Sequence, residues 1–282
     1  VVHAAAAETV AANIAHHLGR IGGHADEIGL MVNHFDEKGF VYCKAIGGID
    51  ITSIVGKRVR FNSTVAGVIN PVIGLIGATA IHLQDKANEG KVRKLHELFI
   101  DIGVASKDAA LKLVRIGDPI TLNDRFEMLR GDLAVARAFD NRIGTFAVAE
   151  TLRLLKPLVK KLNVEVCAVA NVQEEVGLLG ARQIAYSLNP ETALVVDVTH
   201  ATDYPTVDQR AHGDIKLGSG PALTHGGCNH PAVIQRLEDV AAKKKIPLQH
   251  EAMSATSGTD TDVIFWTRGG IPSGLISLPN RY

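Results

Sequence analysis

The chain has 282 residues, a length that suits one large domain or two modest ones. Its 30 Lys and Arg residues are balanced by 30 Asp and Glu residues, so no excess positive charge is available to bind nucleic acid or an anionic membrane surface. Hydrophobic residues make up 46% of the sequence and charged residues 21%, which is typical of a folded globular chain and excludes a disordered or coiled-coil one.

The first twenty residues lack the basic start of a signal peptide and carry Glu8 within their apolar stretch, so they are not expected to be a signal peptide and instead predict a helix. Two apolar runs follow, IGLMVNHF and GFVYCKAI, separated by the hairpin signal Asp36-Glu37-Lys38-Gly39. We expect both strands to join the main sheet of an α/β domain.

Residues 48–135 are rich in Val, Ile, Thr and Gly and predict a small β-barrel or sandwich, with a short helix near Lys107 to Val114.

No charged residue lies between Arg60 and Asp85, and a stretch of that length could span a bilayer. Pro71, several glycines and β-branched residues within that stretch favour strand, turn and strand instead. The sequence therefore predicts no membrane span.

After Arg137 the pattern changes to alternating helices and strands, which predicts a mostly parallel sheet with helices on both faces. The predicted elements are FAVAETLRLLKPLVKKL, VEVCAVANV, GLLGARQIAYSL, TALVVDVTH, PAVIQRLEDVAAKKK and IPSGLISL. We therefore expect residues 1–47 and 136–282 to form one discontinuous α/β domain, interrupted by a β-rich insertion at residues 48–135.

The three cysteines are odd in number, far apart and without a CxxC pair, so the sequence predicts no disulfide framework and a cytoplasmic location.

Acidic residues and one histidine recur where strands end. His24 and Asp26 stand two apart, a spacing that suits a metal-ligating imidazole and the carboxylate that orients it, although such a pair also occurs by chance. Asp140, taken alone, is better explained as a helix N-cap. Glu174 and Glu175 follow an apolar strand and fit a solvated loop as well as a functional site.

Asp197 follows the wholly apolar run ALVV, and the carboxyl ends of parallel strands meet at one edge of a sheet. Several carboxylates gathered there repel one another unless divalent cations neutralise them, and histidine with carboxylates suits Zn, Co or Mn. The convergence of these residues predicts a metal site. His225, Cys228 and His230 also resemble a metal clip, but a glycine-rich turn with a helix cap explains that segment better.

The ordered motifs GHADEIGLMV, ARAFDNRIG, QEEVGLLGA, VVDVTHATD and GTDTD, followed by IPSGLISLPNRY, resemble the tetrahedral, TET-type dinuclear metallo-aminopeptidases. That family includes glutamyl and deblocking aminopeptidases, and some members carry a cellulase label. The resemblance implies a zinc-exopeptidase-like three-layer α/β core with a barrel-like insertion, and homo-oligomers that assemble from dimers into dodecamers.

The resemblance also implies residue roles in a cytosolic enzyme with two divalent metal ions per subunit, hydrolysing N-terminal residues from peptides through a metal-bridging water. Glu174 matches the general base and Asp26 the partner of His24. The four residues that match metal ligands are His24, Asp140, Glu175 and Asp197. His82 matches a family position without a catalytic role.

Two departures from the family pattern stand out. The family motif continues past Tyr282 to a histidine that completes the second metal site, and we expect that residue to follow in the complete protein. The few residues before His24 are expected to leave no room for a strand. Two alternatives stay open: a metal-independent glycoside hydrolase with paired carboxylates, and an assembly protein with a decayed site.

Overall fold

The computed structural model describes residues 19–65, 71–84 and 90–282. These residues form two compact units, one of residues 19–26 and Ala138–Tyr282, the other of Glu27–Arg137. The boundary therefore falls after Asp26, and the expectation of a boundary near residue 47 is wrong. The predicted first helix lies outside the described residues.

The described strands and helices have the following bounds in chain order. The strands are β1 (Gly19–His24), β2 (Gly29–Phe35), β3 (Val41–Ile46), β4 (Arg58–Phe61), β5 (Val72–Gly77), β6 (Phe99–Asp101), β7 (Pro119–Leu122), β8 (Glu127–Met128), β9 (Ala134–Val135), β10 (Val166–Asn171), β11 (Thr192–His200), β12 (Ala222–His225), β13 (Gln249–Ala252) and β14 (Ser273–Asn280). The α-helices are α1 (Ile51–Ile54), α2 (Lys107–Leu111), α3 (Phe139–Leu155), α4 (Leu179–Leu188), α5 (Gln209–His212), α6 (Pro231–Lys244) and α7 (Thr261–Ile264).

The Glu27–Arg137 unit is built on a closed barrel with the strand order β2-β3-β6-β5-β4-β7. Its interior is filled by apolar side chains that alternate along the strands, including Val32, Val41, Val59 and Phe61. The predicted hairpin is confirmed: β2 and β3 pair antiparallel, and Asp36 accepts hydrogen bonds from the backbone of Lys38 and Phe40 across the turn.

The expectation that this hairpin joins the main sheet is wrong. β2 pairs with β7 and β3 with β6, so both edges of the hairpin are used within the barrel. β2 also alternates between buried and exposed residues over much of its length. Such alternation suits an antiparallel strand with one covered face, whereas a strand between two helical layers is apolar on both faces.

The unit of residues 19–26 and Ala138–Tyr282 contains a six-stranded sheet with the order β10-β1-β11-β14-β12-β13. β1 pairs parallel with β10 and β11, and β11 pairs parallel with β14. β12 runs antiparallel to β14. The predicted mostly parallel sheet is confirmed, and the two short strands β12 and β13 were not predicted.

Helices cover both faces of this sheet, as the alternation of apolar residues along β11 shows. Leu194 and Val196 pack in a cluster with residues of α3 and α6. Ala193 and Val195 pack in another cluster with residues of α4 and α7. The unit is therefore a three-layer α/β/α sandwich, in agreement with the predicted fold class.

The strand that delivers His24 exists, contrary to the expectation drawn from the short segment before it. β1 is buried along its whole length, and its glycines suit the close approach of other backbone segments. A Cβ on Gly23 would lie 3.0 Å from the Val196 carbonyl oxygen and 3.1 Å from the Gly144 carbonyl carbon. Glycine at this position lets β1 lie against both β11 and α3.

Among the residues that the structure describes, no helix is both long enough and apolar enough to cross a bilayer.

Candidate metal centre

The six predicted site residues come together at one edge of the sheet, and all of them belong to the three-layer unit. His24 ends β1, and Glu174 and Glu175 lie in the loop between β10 and α4. Asp197 is the sixth residue of β11 and lies three residues before its end, deeper than the sequence predicted. Parallel strands that end at the same edge bring these distant residues into one group.

The His24 imidazole lies at the centre of the group and is only 1% exposed. Its Nε2 atom lies 3.1 Å from Oδ1 of Asp140, 3.6 Å from Oδ1 of Asp197 and 3.8 Å from Oε2 of Glu174. Thr145 on α3 donates a 2.7 Å hydrogen bond to the His24 carbonyl oxygen and so ties β1 to the helix. One ring nitrogen thus faces three carboxylates from three separate segments.

Asp26 lies on the Nδ1 side of the His24 ring. Nδ1 of His24 lies 3.2 Å from the Asp26 carbonyl oxygen and 3.4 Å from its carboxylate. The Asp26 carboxylate also accepts hydrogen bonds of 3.3 Å from the backbone N–H groups of Glu174 and Glu175. Asp26 therefore contacts both the imidazole and the loop that carries the two glutamates, which makes it a positioning residue for both.

Asp140 does not cap the helix, so the capping interpretation is wrong. The N-cap of α3 is Ala138, and the Asp140 side chain is turned to His24. The peptide bond between Asp140 and Asn141 is cis, and both residues have non-helical backbone angles. The Asn141 side chain secures this turn, donating to the Val196 carbonyl at 2.8 Å and accepting from the Gly144 N–H at 3.0 Å.

The carboxylates of the site are held in surroundings that disfavour their charge. Burial, reinforced by neighbouring carboxylates such as Asp197, raises the pKa of Glu174 to about 8 although His24 opposes the shift. Burial and the nearby Asp140 raise the pKa of Glu175 to about 7. Burial also raises the pKa of Asp197. Glu174 is only 9% exposed, which excludes the solvated-loop interpretation for that residue.

The same carboxylates favour the charged form of the histidine. Burial alone would lower the pKa of His24, but its hydrogen bonds with Asp140 and Asp197 prevail and raise that pKa to about 11. The imidazole thus supplies the positive charge that these carboxylates attract. A cation in the same place would compensate them in the same way.

Three polar residues near the site carried no predicted role. Asp260 is 1% exposed, and burial raises its pKa to about 6 while Arg20 and His24 lower it. Arg20, four residues before His24 in β1, is also buried, and burial lowers its pKa. Asn171 ends β10 and is equally buried. The motif GTDTD was the only signal for Asp260, because no apolar strand directly precedes it.

The segment from His225 to His230 forms the turn that the sequence favoured. Gly226 and Gly227 both have positive φ angles, of 80° and 56°. The His230 side chain caps α6 by accepting from the N–H of Ala232 at 3.3 Å, and Pro231 begins that helix. His225 instead contacts a different element, as described below.

Comparison with known proteins places nearly the whole chain in one group. The family model described as M42 glutamyl aminopeptidase matches residues 15–282. The lysyl aminopeptidase of Pyrococcus furiosus is 32% identical over 267 residues, which cover 93% of this chain and 73% of the relative.

Solved structures agree with the sequence comparison. A TET aminopeptidase from a marine sediment Thaumarchaeota archaeon is 31% identical, with a TM-score of 0.87 over 94% of this chain and 74% of that one. The TET1 peptidase of Pyrococcus horikoshii, which can assemble into a tetrahedron or a large octahedral shell, is 28% identical, with a TM-score of 0.78 over 95% and 77%. A Thermotoga maritima protein named endoglucanase is 25% identical, with a TM-score of 0.67 over 96% and 73%.

Proposed function

Because the chain belongs to the M42 glutamyl aminopeptidase family, we propose that it hydrolyses N-terminal residues from peptides with the help of divalent metal ions. The family and the aminopeptidase relatives outweigh the endoglucanase name of the more distant structure. The observation that carries the proposal is the position of His24 Nε2, which faces carboxylates of Asp140, Glu174 and Asp197 within 3.8 Å.

The residues of the site fit divalent cations. His24, Asp140 and Asp197 bring one ligand atom each within 4.8 Å of one another, and so do His24, Glu174 and Glu175. Oε1 of Glu175 is buried and has no hydrogen-bond partner in the described structure, which is costly unless a cation contacts it. Imidazole nitrogen together with carboxylate oxygen is a donor set that zinc, cobalt and manganese all accept.

The residues that would hold the metal ions are His24, Asp140, Glu175 and Asp197. When bound, such ions lower the pKa of water towards neutrality and polarise the scissile carbonyl group. Asp26 contributes indirectly, because its contact with Nδ1 fixes the His24 ring and so directs Nε2 into the site.

Glu174 is the general base of the proposed reaction. Its carboxylate accepts a proton from the attacking water and then passes that proton to the nitrogen of the leaving peptide, so that the proton count balances over one turnover. Burial raises the pKa of this carboxyl group, so that it holds a transferred proton more readily than an exposed glutamate does. Its backbone N–H is held by Asp26, which limits movement of the side chain.

Assembly and location belong to the same proposal. The TET1 relative supports a homo-oligomer, and we propose a tetrahedral dodecamer built from dimers. Cys43, Cys167 and Cys228 are all free thiols, which supports the cytoplasm as the location.

Chelation combined with two substrate classes tests this function. After dialysis against EDTA, we expect hydrolysis of an aminoacyl-p-nitroanilide panel to stop and to return when Zn²⁺, Co²⁺ or Mn²⁺ is added. A panel member blocked by N-acetylation should not be cleaved at all. Hydrolysis of a cellulose oligosaccharide that survives chelation would favour the glycoside hydrolase instead. Metal uptake without hydrolysis of either class would indicate a decayed site.

A further inference from the structure

A second group of potential metal ligands lies outside the site described above. It consists of His225 at the end of β12, His250 in β13 and Glu238 on α6. Nε2 of His225 lies 2.9 Å from Nδ1 of His250, and both atoms lie 3.7 Å from Oε1 of Glu238. We call these three residues the edge cluster, because β13 is the last strand of the sheet.

Strand register explains why the two histidines meet. In the parallel pair of β12 and β13, His225 is opposite Ala252 and Leu223 is opposite His250. Alternate residues of a strand share a face, so both imidazoles lie on the face of Leu223. That face packs against α6, since Leu223 belongs to the same apolar cluster as Leu237, the residue before Glu238.

The edge cluster is separate from the site around His24. β12 runs antiparallel to β14, with Ala222 opposite Ser277, whereas Asp197 is opposite the same serine on the other side of β14. From Ala222 the chain continues three residues to His225, in the direction opposite to that in which β11 and β14 run. His225 therefore lies towards the end of the sheet that is opposite to the His24 site. The two ligand sets share no residue.

The three donor atoms have the chemistry and the spacing of a transition-metal site. Two imidazole nitrogens at 2.9 Å cannot both present lone pairs to each other, so either a proton or a cation must lie between them. In a tetrahedral zinc site with Zn–N distances of about 2.0–2.1 Å, neighbouring ligand atoms are about 3.3 Å apart. The observed separations of 2.9, 3.7 and 3.7 Å lie on both sides of that value.

We propose that His225, His250 and Glu238 bind one divalent transition-metal ion, with Zn²⁺ as the reference ion and water as its fourth ligand. The side chains of His225 and His250 are 42% and 51% exposed and that of Glu238 is 30% exposed, so an ion reaches the cluster directly from solvent. Two imidazoles and one carboxylate match the preferences of zinc and its neighbours rather than those of calcium or magnesium.

The ion links the edge strand to the rest of the sandwich. β13 has four residues, and none of them is fully buried. A metal bound by one residue from each of β12, β13 and α6 joins this strand to its neighbour and to the helix that covers them. Because only the folded chain brings the three ligands together, the bound ion raises the free energy of unfolding.

Zinc stoichiometry tests the proposal directly. Wild type, His250→Ala and the control His212→Ala, which removes an exposed histidine of α5, are dialysed against buffered Zn²⁺, and bound zinc per chain is measured by elemental analysis. We expect His250→Ala to bind one ion fewer than wild type and the control, with unchanged turnover of an aminoacyl-p-nitroanilide. Equal zinc content in all three proteins would overturn the site and leave a proton between the two rings.

Two further measurements guard against loss of fold. Far-UV circular dichroism shows whether His250→Ala is folded, and Glu238→Gln, which keeps the size of the side chain, should bind Zn²⁺ more weakly in the same dialysis. In Asp140→Ala, which is expected to empty the main site of metal, one zinc ion should remain, and adding His250→Ala should remove it. If that ion remains in the double variant, the edge cluster does not hold it.

Discussion

Asp140 is the most accessible of the carboxylates around His24, with a side chain that is 48% exposed. Its position depends on the Asn141 side chain, which is completely buried and hydrogen-bonded to Val196 and Gly144. The carboxylate is thus directed at the imidazole by the backbone of the first turn of α3, while its outer side stays open to solvent.

Removing the Asp140 carboxylate should empty the site of metal. Asp140→Ala leaves a space at a half-exposed position, so we expect little change in stability but a loss of metal affinity of more than about 100-fold, since even partners of metal ligands contribute about 10–100-fold. Turnover should fall with metal content. Elemental analysis and nitroanilide hydrolysis measure both, with the exposed Asp214→Ala as the control. An Asp140→Ala protein with full metal and full activity would remove this residue from the ligand set.

The protonation of the site predicts that metal binding releases protons. In the metal-free protein at pH 7, His24, with a pKa of about 11, holds a proton, and Glu175, with a pKa of about 7, holds one in part of the molecules. Ligands must be deprotonated to bind a cation, so Zn²⁺ displaces these protons and its affinity rises between pH 6 and pH 8. Calorimetry in two buffers of different ionisation enthalpy measures the release, and identical heats in both would contradict it.

At the scale of elements, the site depends on how closely β1, β11 and α3 approach one another. A Cβ on Gly144 would lie 2.7 Å from the Val196 carbonyl oxygen and would also collide with Oδ1 of Asn141. Both atoms belong to the hydrogen bonds that hold the turn of Asp140. The small size of Gly144 therefore serves the geometry of the site as well as the packing of the helix.

Gly144→Ala should weaken both the fold and the site. We expect a loss of about 1–3 kcal/mol in the free energy of unfolding, the usual cost of overpacking, together with lower metal occupancy. Urea unfolding and elemental analysis provide the two measurements. Gly48→Ala is the matched control, because a Cβ there meets nothing within 4 Å. Equal effects of the two substitutions would show that the close approach at Gly144 does not matter.

The elements differ in how far the sequence predicts them. β11 and α6 are long, with clear apolar patterns, and the predicted runs TALVVDVTH and PAVIQRLEDVAAKKK match their observed bounds to within a residue. β12 and β13 have four residues each, too few to show a period, and the contact of His225 with His250 depends on them. β1 is rich in glycine, so its strand character comes from burial between neighbours rather than from propensity.

Most of the candidate site could be predicted from the sequence, because each of its carboxylates follows or lies within a recognisable element. Glu174, Glu175 and Asp197 could be grouped by the rule that parallel strands end at one edge, whereas the strand that ends at His24 was not expected. The orientation of Asp140 could not, since N-capping is the commoner role for an aspartate at a helix start. Asp260 has no preceding strand to place it, and only the fold brings it near the others.

For the molecule as a whole, the proposal predicts a large assembly. Light scattering of the purified protein should give the mass of twelve chains, in line with the tetrahedral assembly of the TET1 relative. Because the site residues all come from one compact unit, dissociation into dimers should leave metal binding intact. A protein that is monomeric at all concentrations yet fully active would contradict the assembly but leave the chemistry of the site untouched.

The metal content and turnover of Glu174→Gln, measured on the same preparation, test the central claim most directly. Glutamine keeps the size of the side chain but cannot accept the proton, so we predict normal metal content with turnover lower by about 10²–10⁴-fold. Glu150→Gln, which alters a surface carboxylate of α3 paired with Arg153, should behave like wild type. Undiminished turnover by fully metallated Glu174→Gln would contradict the account.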